Sequence, residues 1–300
     1  MNPQITIVTP SYNQAEYLQE SLESVSSQGV ANVEHLVMDG GSSDGSALIL
    51  KEFSEQSNGA HLRWLSEKDN GQSDAMNKGF RSARGEIIGW LNADDRYRPG
   101  CFEAVLRAFR DHPEADIIYG DYTWIDRRGR VLQLRRETSF SRFTLLYHRV
   151  LYVPSTATFF RRRIFDEGNL LDEKLQYAMD YEFFVRLCAR GYRFQHVSDL
   201  MADFRYHPAS KSTQFCDRQL EEQNAALPRY SPILNACRNR WIYRPLLLSL
   251  RSAAGVLRYG EKAIRGYYFT QWRPSATVQL PTSWAPQRLS AMRDHAPVAD

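Results

Sequence analysis

Cysteine is scarce and scattered: Cys101, Cys188, Cys216 and Cys237 are the four in 300 residues. They lack the paired spacing of a zinc site and the density of a secreted disulfide framework, so a reducing compartment is expected. Long apolar runs are also missing. The most apolar stretch, Leu246 to Leu257, is interrupted by Arg251 and is too short to cross a bilayer. Met1-Asn2-Pro3-Gln4 leads straight into a strand pattern, so no signal peptide is expected and the default location is cytoplasmic. The net charge of +3 is too small to argue for nucleic acid, and no internal repeat is visible. With 43% hydrophobic and 24% charged residues, the composition is that of a globular enzyme able to bury a large core.

Regular structure is written in short, punctuated segments. Ile5-Thr6-Ile7-Val8-Thr9 reads as a strand stopped by Pro10, with a turn at Ser11-Tyr12-Asn13. Leu18, Leu22 and Val25 share one face of a predicted helix over 14–27, closed by Gly29. Further strands are predicted at 33–38, 62–65 and 86–91, separated by helices over 47–53 and 74–81. This alternation implies parallel pairing with right-handed crossovers. Residues 1–100 therefore predict a doubly wound, nucleotide-binding-like half. Beyond it come a helix over 101–110, a strand at 116–119 and a hairpin within 121–135 that turns at Arg128-Gly129. The aromatic-rich segment 139–153 reads as irregular and 155–160 as β-rich. A helix over 180–189 is followed by strands at 194–197 and 203–207.

The fourth strand ends in Leu91-Asn92-Ala93-Asp94-Asp95. In an open α/β sheet the carboxyl ends of the strands form the ligand crevice. Two carboxylates there suit a hard divalent cation shared with phosphate oxygens. Taken alone, an Asp-Asp pair more often makes a polar turn or caps a helix. A turn does not explain the repetition: Thr9 to Asn13, Asp39 to Asp44 and Asp94-Asp95 all fall at carboxyl ends of the same predicted sheet.

From Arg229 to Arg273 a single acid, Glu261, stands among nine lysines and arginines, interleaved with leucines, tyrosines and tryptophans. A basic, aromatic, amphipathic segment of this kind suits an anionic membrane surface. Equally, it suits a helical pair packed on the core with its arginines in water. The last residues, with Pro274, Pro281, Pro286 and Pro297, read as a loose tail.

An ordered series of motifs resembles the family-2-type glycosyltransferases with the nucleotide-diphosphosugar-transferase (GT-A) fold. It opens with Ile7-Val8-Thr9-Pro10-Ser11-Tyr12-Asn13, followed by Val37-Met38-Asp39-Gly40-Gly41-Ser42-Ser43-Asp44-Gly45. Next come Asp69-Asn70-Gly71-Gln72-Ser73-Asp74-Ala75-Met76-Asn77-Lys78-Gly79 and Gly85-Glu86-Ile87-Ile88, leading to Asp94-Asp95. Met179-Asp180-Tyr181-Glu182-Phe183 and the segment from Phe204 to Ser212 complete it. The resemblance covers roughly residues 4–215. It implies an α/β fold, mostly a parallel doubly wound sheet with flanking helices, plus the C-terminal helical basic segment. The implied organisation is a transferase domain over 1–227, with a nucleotide-binding half 1–100 and an acceptor-binding half 101–227. A basic amphipathic extension over 228–273 and the tail 274–300 follow.

The resemblance also implies roles. Thr9, Pro10, Tyr12, Asn13 and Asp39 would hold the nucleoside, with the Asp39 carboxylate accepting from a base N–H. Gly71 and Asp74 would line the donor pocket. Asp95 would bind a divalent cation, Mn2+ or Mg2+, and Asp94 would reach the ribose or sugar. His207 would add a metal ligand or a diphosphate contact. Asp180 would be the general base, although Met179 stands where the family commonly has Glu. The implied reaction is inverting transfer of one sugar from a nucleoside-diphosphate donor to a glycan or lipid-linked acceptor hydroxyl, in surface-glycan synthesis. The family leads one to expect a uridine donor, UDP-linked, with dTDP or GDP donors as alternatives. A processive synthase is disfavoured, since Asn239-Arg240-Trp241 lacks the Gln of the Gln-x-x-Arg-Trp signature. The alternatives are a sugar nucleotidyltransferase, a non-catalytic nucleotide-sugar or glycan-binding protein, and a membrane-surface adaptor acting through the basic segment. The first would want a glycine-rich loop where Thr9-Pro10-Ser11-Tyr12 stands.

Overall fold

The computed structural model describes residues 3–56, 59, 61–148, 150–207, 210, 214–237 and 240–268. The expected tail 274–300 and part of the segment 204–212 lie outside these residues. Nine strands form one sheet: β1 (Ile5–Ser11), β2 (Val33–Asp39), β3 (Leu62–Ser66), β4 (Ile87–Trp90), β5 (Arg96–Tyr97), β6 (Ile117–Ile125), β7 (Val131–Arg135), β8 (Thr158–Arg161) and β9 (Phe194–Arg205). The first helices are α1 (Ala15–Ser26), α2 (Ser46–Ser54), α3 (Gln72–Ser82), α4 (Cys101–Asp111) and α5 (Arg142–Tyr147). After them come α6 (Arg163–Asp166), α7 (Met179–Ala189), α8 (Cys216–Tyr230), α9 (Pro232–Ala236) and α10 (Arg240–Ile264).

The sheet order is β3-β2-β1-β4-β8-β6-β9-β5, with β7 on β6. The first four strands are all parallel, as the alternating pattern predicts. β8 then enters antiparallel between β4 and β6, so the second half of the sheet is mixed. Successive residues of a strand face opposite sides, and the sequence fills both. Val8, Ile88 and Trp90 join Met76 and Phe80 of α3 and Phe183, Phe184 and Leu187 of α7 in one core. Ile5, Ile7 and Ile87 pack with Phe102, Val105 and Phe109 of α4 in the other.

Three segments differ from the sequence reading. The stretch 139–153 contains α5, capped by Ser141, whose side chain accepts from the Thr144 N–H. The strands expected at 194–197 and 203–207 are one continuous strand over Phe194–Arg205 with a register shift against β6, and His207, two residues past its end, meets Asp94 in the turn after β4. Helix α8, for which no sequence pattern was assigned, lies against α7.

Helix α10 packs on α5, and two of its cations are turned away from water. Arg258 and Lys262 reach 2.7 and 3.2 Å from Glu137, and all three side chains are almost wholly buried. Burial would raise Glu137, but Arg258, Lys262 and Arg135 hold it below the usual carboxylate range. Burial pushes Lys262 down to about 8. The outward face of α10 is apolar instead, with Trp241, Val256 and Ile264 exposed by 89%, 72% and 90%. No helix among the described residues is long and apolar enough to cross a membrane.

Removing Glu137 leaves two buried cations without an anion, which typically costs about 3–5 kcal/mol. Glu137→Ala is therefore expected to lower stability by that order and to expose α10 to limited proteolysis, with Glu137→Asp retaining part of the loss. Urea unfolding monitored alongside proteolysis checks this.

Candidate active site

The carboxyl ends of β1, β2 and β3 are in register, Ser11 opposite Asp39 and Asp39 opposite Ser66. This places the two polar turns side by side. Asp39 accepts from the Ser42 N–H at 2.9 Å, the Ser42 hydroxyl at 2.5 Å and the Ser66 hydroxyl at 2.7 Å. A carboxylate has about four lone-pair sites, so one remains for a ligand. Asn13, at a φ of 52°, accepts from the Ser43 N–H through Oδ1 at 2.9 Å, which fixes the first turn to the second. Gly40 touches Asp69 so closely that a Cβ there would lie 2.5 Å from Asp69 Oδ2. The Asp69–Gly71 loop is thereby held against the Asp39 turn.

Thr9 is placed differently from expectation. Its side chain is fully buried and shares a 2.9 Å hydrogen bond with His35 Nε2, whose imidazole burial holds neutral, near 3. Pro10 is buried, whereas Tyr12 is 61% exposed at the rim. Asp74, in the first turn of α3, accepts from the Asn70 N–H at 3.0 Å. That bond is the main cause of its lowered pKa, aided by Lys78.

The two adjacent carboxylates separate. Asp95 is 1% exposed and its oxygens are taken by the Thr156 hydroxyl at 2.5 Å, the Arg205 N–H at 2.8 Å and the Asn92 amide at 3.2 Å. Burial, then the charge of Asp94, raises its pKa well above the usual range. Asp94 faces the other way, with Oδ2 3.0 Å from His207 Nε2. The two carboxylates expected to share the cation's site are therefore built differently. Asp95 is enclosed and accepts from three protein donors, whereas the Asp94 side chain keeps 18% of its surface exposed beside the buried His207.

Arg205 sets this arrangement. Its buried guanidinium donates from Nε to the Asp94 carbonyl at 2.8 Å, reaches the Asp126 and Arg127 carbonyls and pairs with Glu20. Tyr17 of α1 lies under both Arg205 and His207, 4.9 Å from the guanidinium and 5.1 Å from the imidazole centroid. No group of three His, Cys, Asp or Glu side chains forms a closed metal cage among the described residues. Asp94 and His207 offer an oxygen and a nitrogen, a donor set acceptable to Mn2+. A cation held by few side chains keeps positions for water and substrate phosphate, so the residues present fit a shared metal.

Beyond Asn92 lies a cleft of about 80 Å3, lined by Gln72, Trp90, Asn92, Gln176, Tyr177 and Asp180 among others. Asn92 is held by Trp90 Nε1 and Gln72 Nε2, both donating to Oδ1 at 3.0 Å. Asp180 sits in the first turn of α7, and burial pushes it up to about 6, with Glu222 adding a smaller upward push. Glu222 of α8 accepts from the backbone N–H groups of Gln176, Tyr177 and Ala178 at 3.1, 2.8 and 2.8 Å. It satisfies donors at and before the start of α7 and so fixes Asp180. Gln72 and Asn92 lie inside motifs the sequence singles out. Gln219 and Glu222 carry no such signal and were not anticipated.

The family model described as glycosyl transferase family 2 matches residues 6–168. An uncharacterized glycosyltransferase of Rickettsia typhi is 27% identical, over 75% of this chain and 70% of its own. Chondroitin synthase of Escherichia coli is 28% identical over 79% of this chain, which spans only 36% of that protein. The minor teichoic acid biosynthesis protein GgaA of Bacillus subtilis is 27% identical over 77% of this chain and 52% of its own. Among solved structures, S. aureus TarS 1-349 with UDP-GlcNAc matches with a TM-score of 0.61 at 17% identity, covering 84% of this chain and 72% of that one. The mannosyltransferase PcManGT of Pyrobaculum calidifontis, with GDP-Man and Mn2+, matches with a TM-score of 0.53 at 17% identity, over 90% and 84%. At these identities the structural likeness speaks for the fold, an α/β GT-A fold.

The separation of Asp94 and Asp95 predicts unequal stability effects. Asp95→Ala strips an acceptor from three buried donors, at roughly 1–3 kcal/mol for a single unsatisfied group and less than additively. A loss of about 2–4 kcal/mol is expected. Asp94→Ala removes one partly exposed contact and is expected to stay within about 1 kcal/mol. Equilibrium denaturation of the two variants checks the difference, and equal losses would sink the assignment.

Proposed function

Since the chain belongs to glycosyl transferase family 2 and is a glycosyltransferase, we propose that it moves one sugar, with inversion, from a nucleoside-diphosphate donor to an acceptor hydroxyl. The observation that carries this reading is the presence of two differently built acidic groups, Asp94 against His207 in the turn after β4 and Asp180 in the cleft that Asn92 also lines. The donor is a UDP-sugar in this reading, supported by the Asp39 turn with its remaining acceptor site and by a structural neighbour solved with UDP-GlcNAc. GDP, named in another neighbour, is the second choice. Surface-glycan or lipid-linked oligosaccharide synthesis as the setting draws on the relatives named for chondroitin and teichoic acid.

Asp94 and His207 would hold a divalent cation, which when bound offsets charge on the departing diphosphate. The protein's own groups do the rest. The turns at Asn13, Asp39 and Asp69–Gly71 grip the nucleoside, with Asp74 bracing that loop. Asp180 accepts the proton of the acceptor hydroxyl as its oxygen attacks the anomeric carbon, while the bond to the diphosphate oxygen breaks on the opposite face. A general base works best with a pKa near the operating pH, and burial brings Asp180 to about 6.

The apolar outward face of α10 is assigned to a membrane surface, where lipid-linked acceptors reside. Trp241, Val256, Leu257 and Ile264 are exposed there, and the helix's acid, Glu261, is paired with Arg265. Exposed apolar stripes with interfacial aromatics bind the headgroup boundary.

Calorimetry of UDP with Mn2+ tests the division of labour. Asp94→Ala and His207→Ala are expected to lose most metal-dependent binding, whereas Asp180→Asn keeps it and abolishes transfer. Equal loss of binding in all three would overturn it. The rate of the parent enzyme should fall as pH drops through about 6, where the base takes up its proton. The same raised pKa means that the folded state binds this proton more tightly than the unfolded state. Stability therefore falls as pH rises from the ordinary carboxylate range through about 6. At pH 8, Asp180→Asn is expected to be more stable than the parent by as much as about 3 kcal/mol.

Vesicles of phosphatidylcholine with phosphatidylglycerol test the surface assignment by co-flotation. The parent should float with them and Trp241→Ser/Ile264→Ser should not. A parent that stays behind with every vesicle sinks the membrane role.

A further inference from the structure

The chain that leads into α7 is gripped from two sides. On one side, buried Asn77 of α3 commits its whole amide to it. Nδ2 donates to the Leu171 carbonyl at 3.0 Å and to Glu173 Oε1 at 2.9 Å, and Oδ1 accepts from the Leu171 N–H at 2.8 Å. Ser73, one turn earlier on α3, reaches the Leu175 carbonyl at 3.4 Å. The Gln176 side chain closes over Gly71, where a Cβ would lie 3.1 Å from its Oε1. Residues 171–176 are thereby laid along the helix that follows the Asp69–Gly71 loop.

On the other side a single carboxylate does the holding. Helix α7 starts at Met179, and its N-cap residue is Ala178, whose methyl cannot accept a hydrogen bond as Ser, Thr, Asp or Asn at a cap would. Glu222 secures the entry from a different helix: Oε1 accepts from the Gln176 N–H, and Oε2 from those of Tyr177 and Ala178. Hydrogen bonds to an ionised acceptor are about twice as strong as neutral ones, and three on one carboxylate fix the direction in which the chain enters α7. Asp180 is the second residue of that helix, its Oδ1 accepting from the Tyr181 N–H at 2.7 Å. A swing of the entry carries its carboxylate along. Both α7 and α8 lie beyond residues 6–168 matched by the family model, so the match assigns nothing to this clamp.

Glu222 also meets Asp180 as a like charge. Burial is the main cause that lifts Asp180 to about 6, and Glu222 adds to it. Among the described residues, the other charged groups on the surrounding elements have partners of their own. Glu182 of α7 pairs with Arg186 and accepts from Tyr230, Glu173 accepts from Asn77, and Arg218 of α8 stacks over Tyr177 and Phe215. Further off, Asp74 pairs with Lys78, Asp94 with His207 and Arg205 with Glu20.

We infer that Glu222 is a positioning residue for the reaction, setting from α8 the place and direction of the Asp180 carboxylate through the three N–H groups that lead into α7. This rests on the reading of Asp180 as the base.

The test uses the full chain and the variants Glu222→Ala, Glu222→Gln and Asp180→Asn. With Mn2+ present, hydrolysis of UDP-glucose and UDP-N-acetylglucosamine gives kcat and KM, and calorimetry gives the affinity for UDP. Without metal, the 13C shift of the Asp180 carboxyl, identified by its loss in Asp180→Asn, gives the titration midpoint. Glu222→Ala removes all three acceptor contacts and is expected to lower kcat about 10-fold or more, with UDP affinity within about twofold of the parent. Glu222→Gln keeps an oxygen for Tyr177 and Ala178 but turns an amide N–H toward Gln176, so a smaller loss is expected. Without the like charge its Asp180 midpoint should fall below the parent's, which a brace of the fold alone would not cause. Variants that match the parent beside an inactive Asp180→Asn remove this inference alone. So does a loss of kcat with an unmoved midpoint, or one in step with lost UDP affinity. An Asp180→Asn that hydrolyses donor as fast as the parent removes the base reading and this inference with it. If the parent hydrolyses neither donor, the midpoint decides: unmoved in Glu222→Gln, it overturns the inference.

Discussion

The site depends on one buried guanidinium. Arg205, at the last position of β9, is 2% exposed and has its cationic hydrogens directed at a carboxylate from α1, the backbone of Asp94 and two carbonyls of the β6–β7 turn. Such a charge is tolerated inside a protein only when paired and fully hydrogen-bonded. Satisfying it therefore forces four separate segments into one geometry. Its own backbone N–H holds Asp95 in the same stroke. The end of β9, the turn after β4 and α1 become one unit, and His207, two residues further on, is delivered against Asp94.

The division between Asp94 and Asp95 follows from that unit and shows where sequence reading stops. That two carboxylates close β4 at the crevice was legible, because strand ends in a parallel sheet face the ligand. Which one would face it was not. Adjacent side chains leave the chain in opposite directions, and the partner that captured Asp95 is Thr156, 61 residues away. A hydroxyl before β8 carries no mark that it will meet a carboxylate. Thr9 is a similar case: it lies in the expected motif, but strand alternation turns it inward to His35. The turns at Asn13, Asp39 and Asp69 were easier to read, since their bonds are local or join neighbouring parallel strands in register.

Two cations of the C-terminal helix lie where composition alone does not place them, for an electrostatic reason. Eight lysines and arginines against one acid from 229 to 268 look like a solvated or membrane-facing charge. Compositional counting within a segment does not include an anion more than a hundred residues earlier. Glu137 supplies it, and the ladder Arg258–Lys262, spaced four apart on one helical face, turns toward the core. The apolar residues left over occupy the outside. The amphipathicity was legible, but its direction was inverted by a single buried glutamate.

The same logic bears on the cleft. In the proposed mechanism Asp180 works as a base only while it is ionised, and the burial that raises its pKa also makes its charge costly. The helix start that carries it is held by another carboxylate, Glu222, through three backbone donors. Two acids near one helix N-terminus are sustainable because the N–H groups there favour negative charge and because the surrounding wall is made of neutral amides. A cation placed beside Asp180 would draw its pKa down and weaken it as a base, so the neutral amides of Gln72, Asn92, Gln176 and Gln219 along the described part of the cleft suit a carboxylate whose proton affinity is raised by burial.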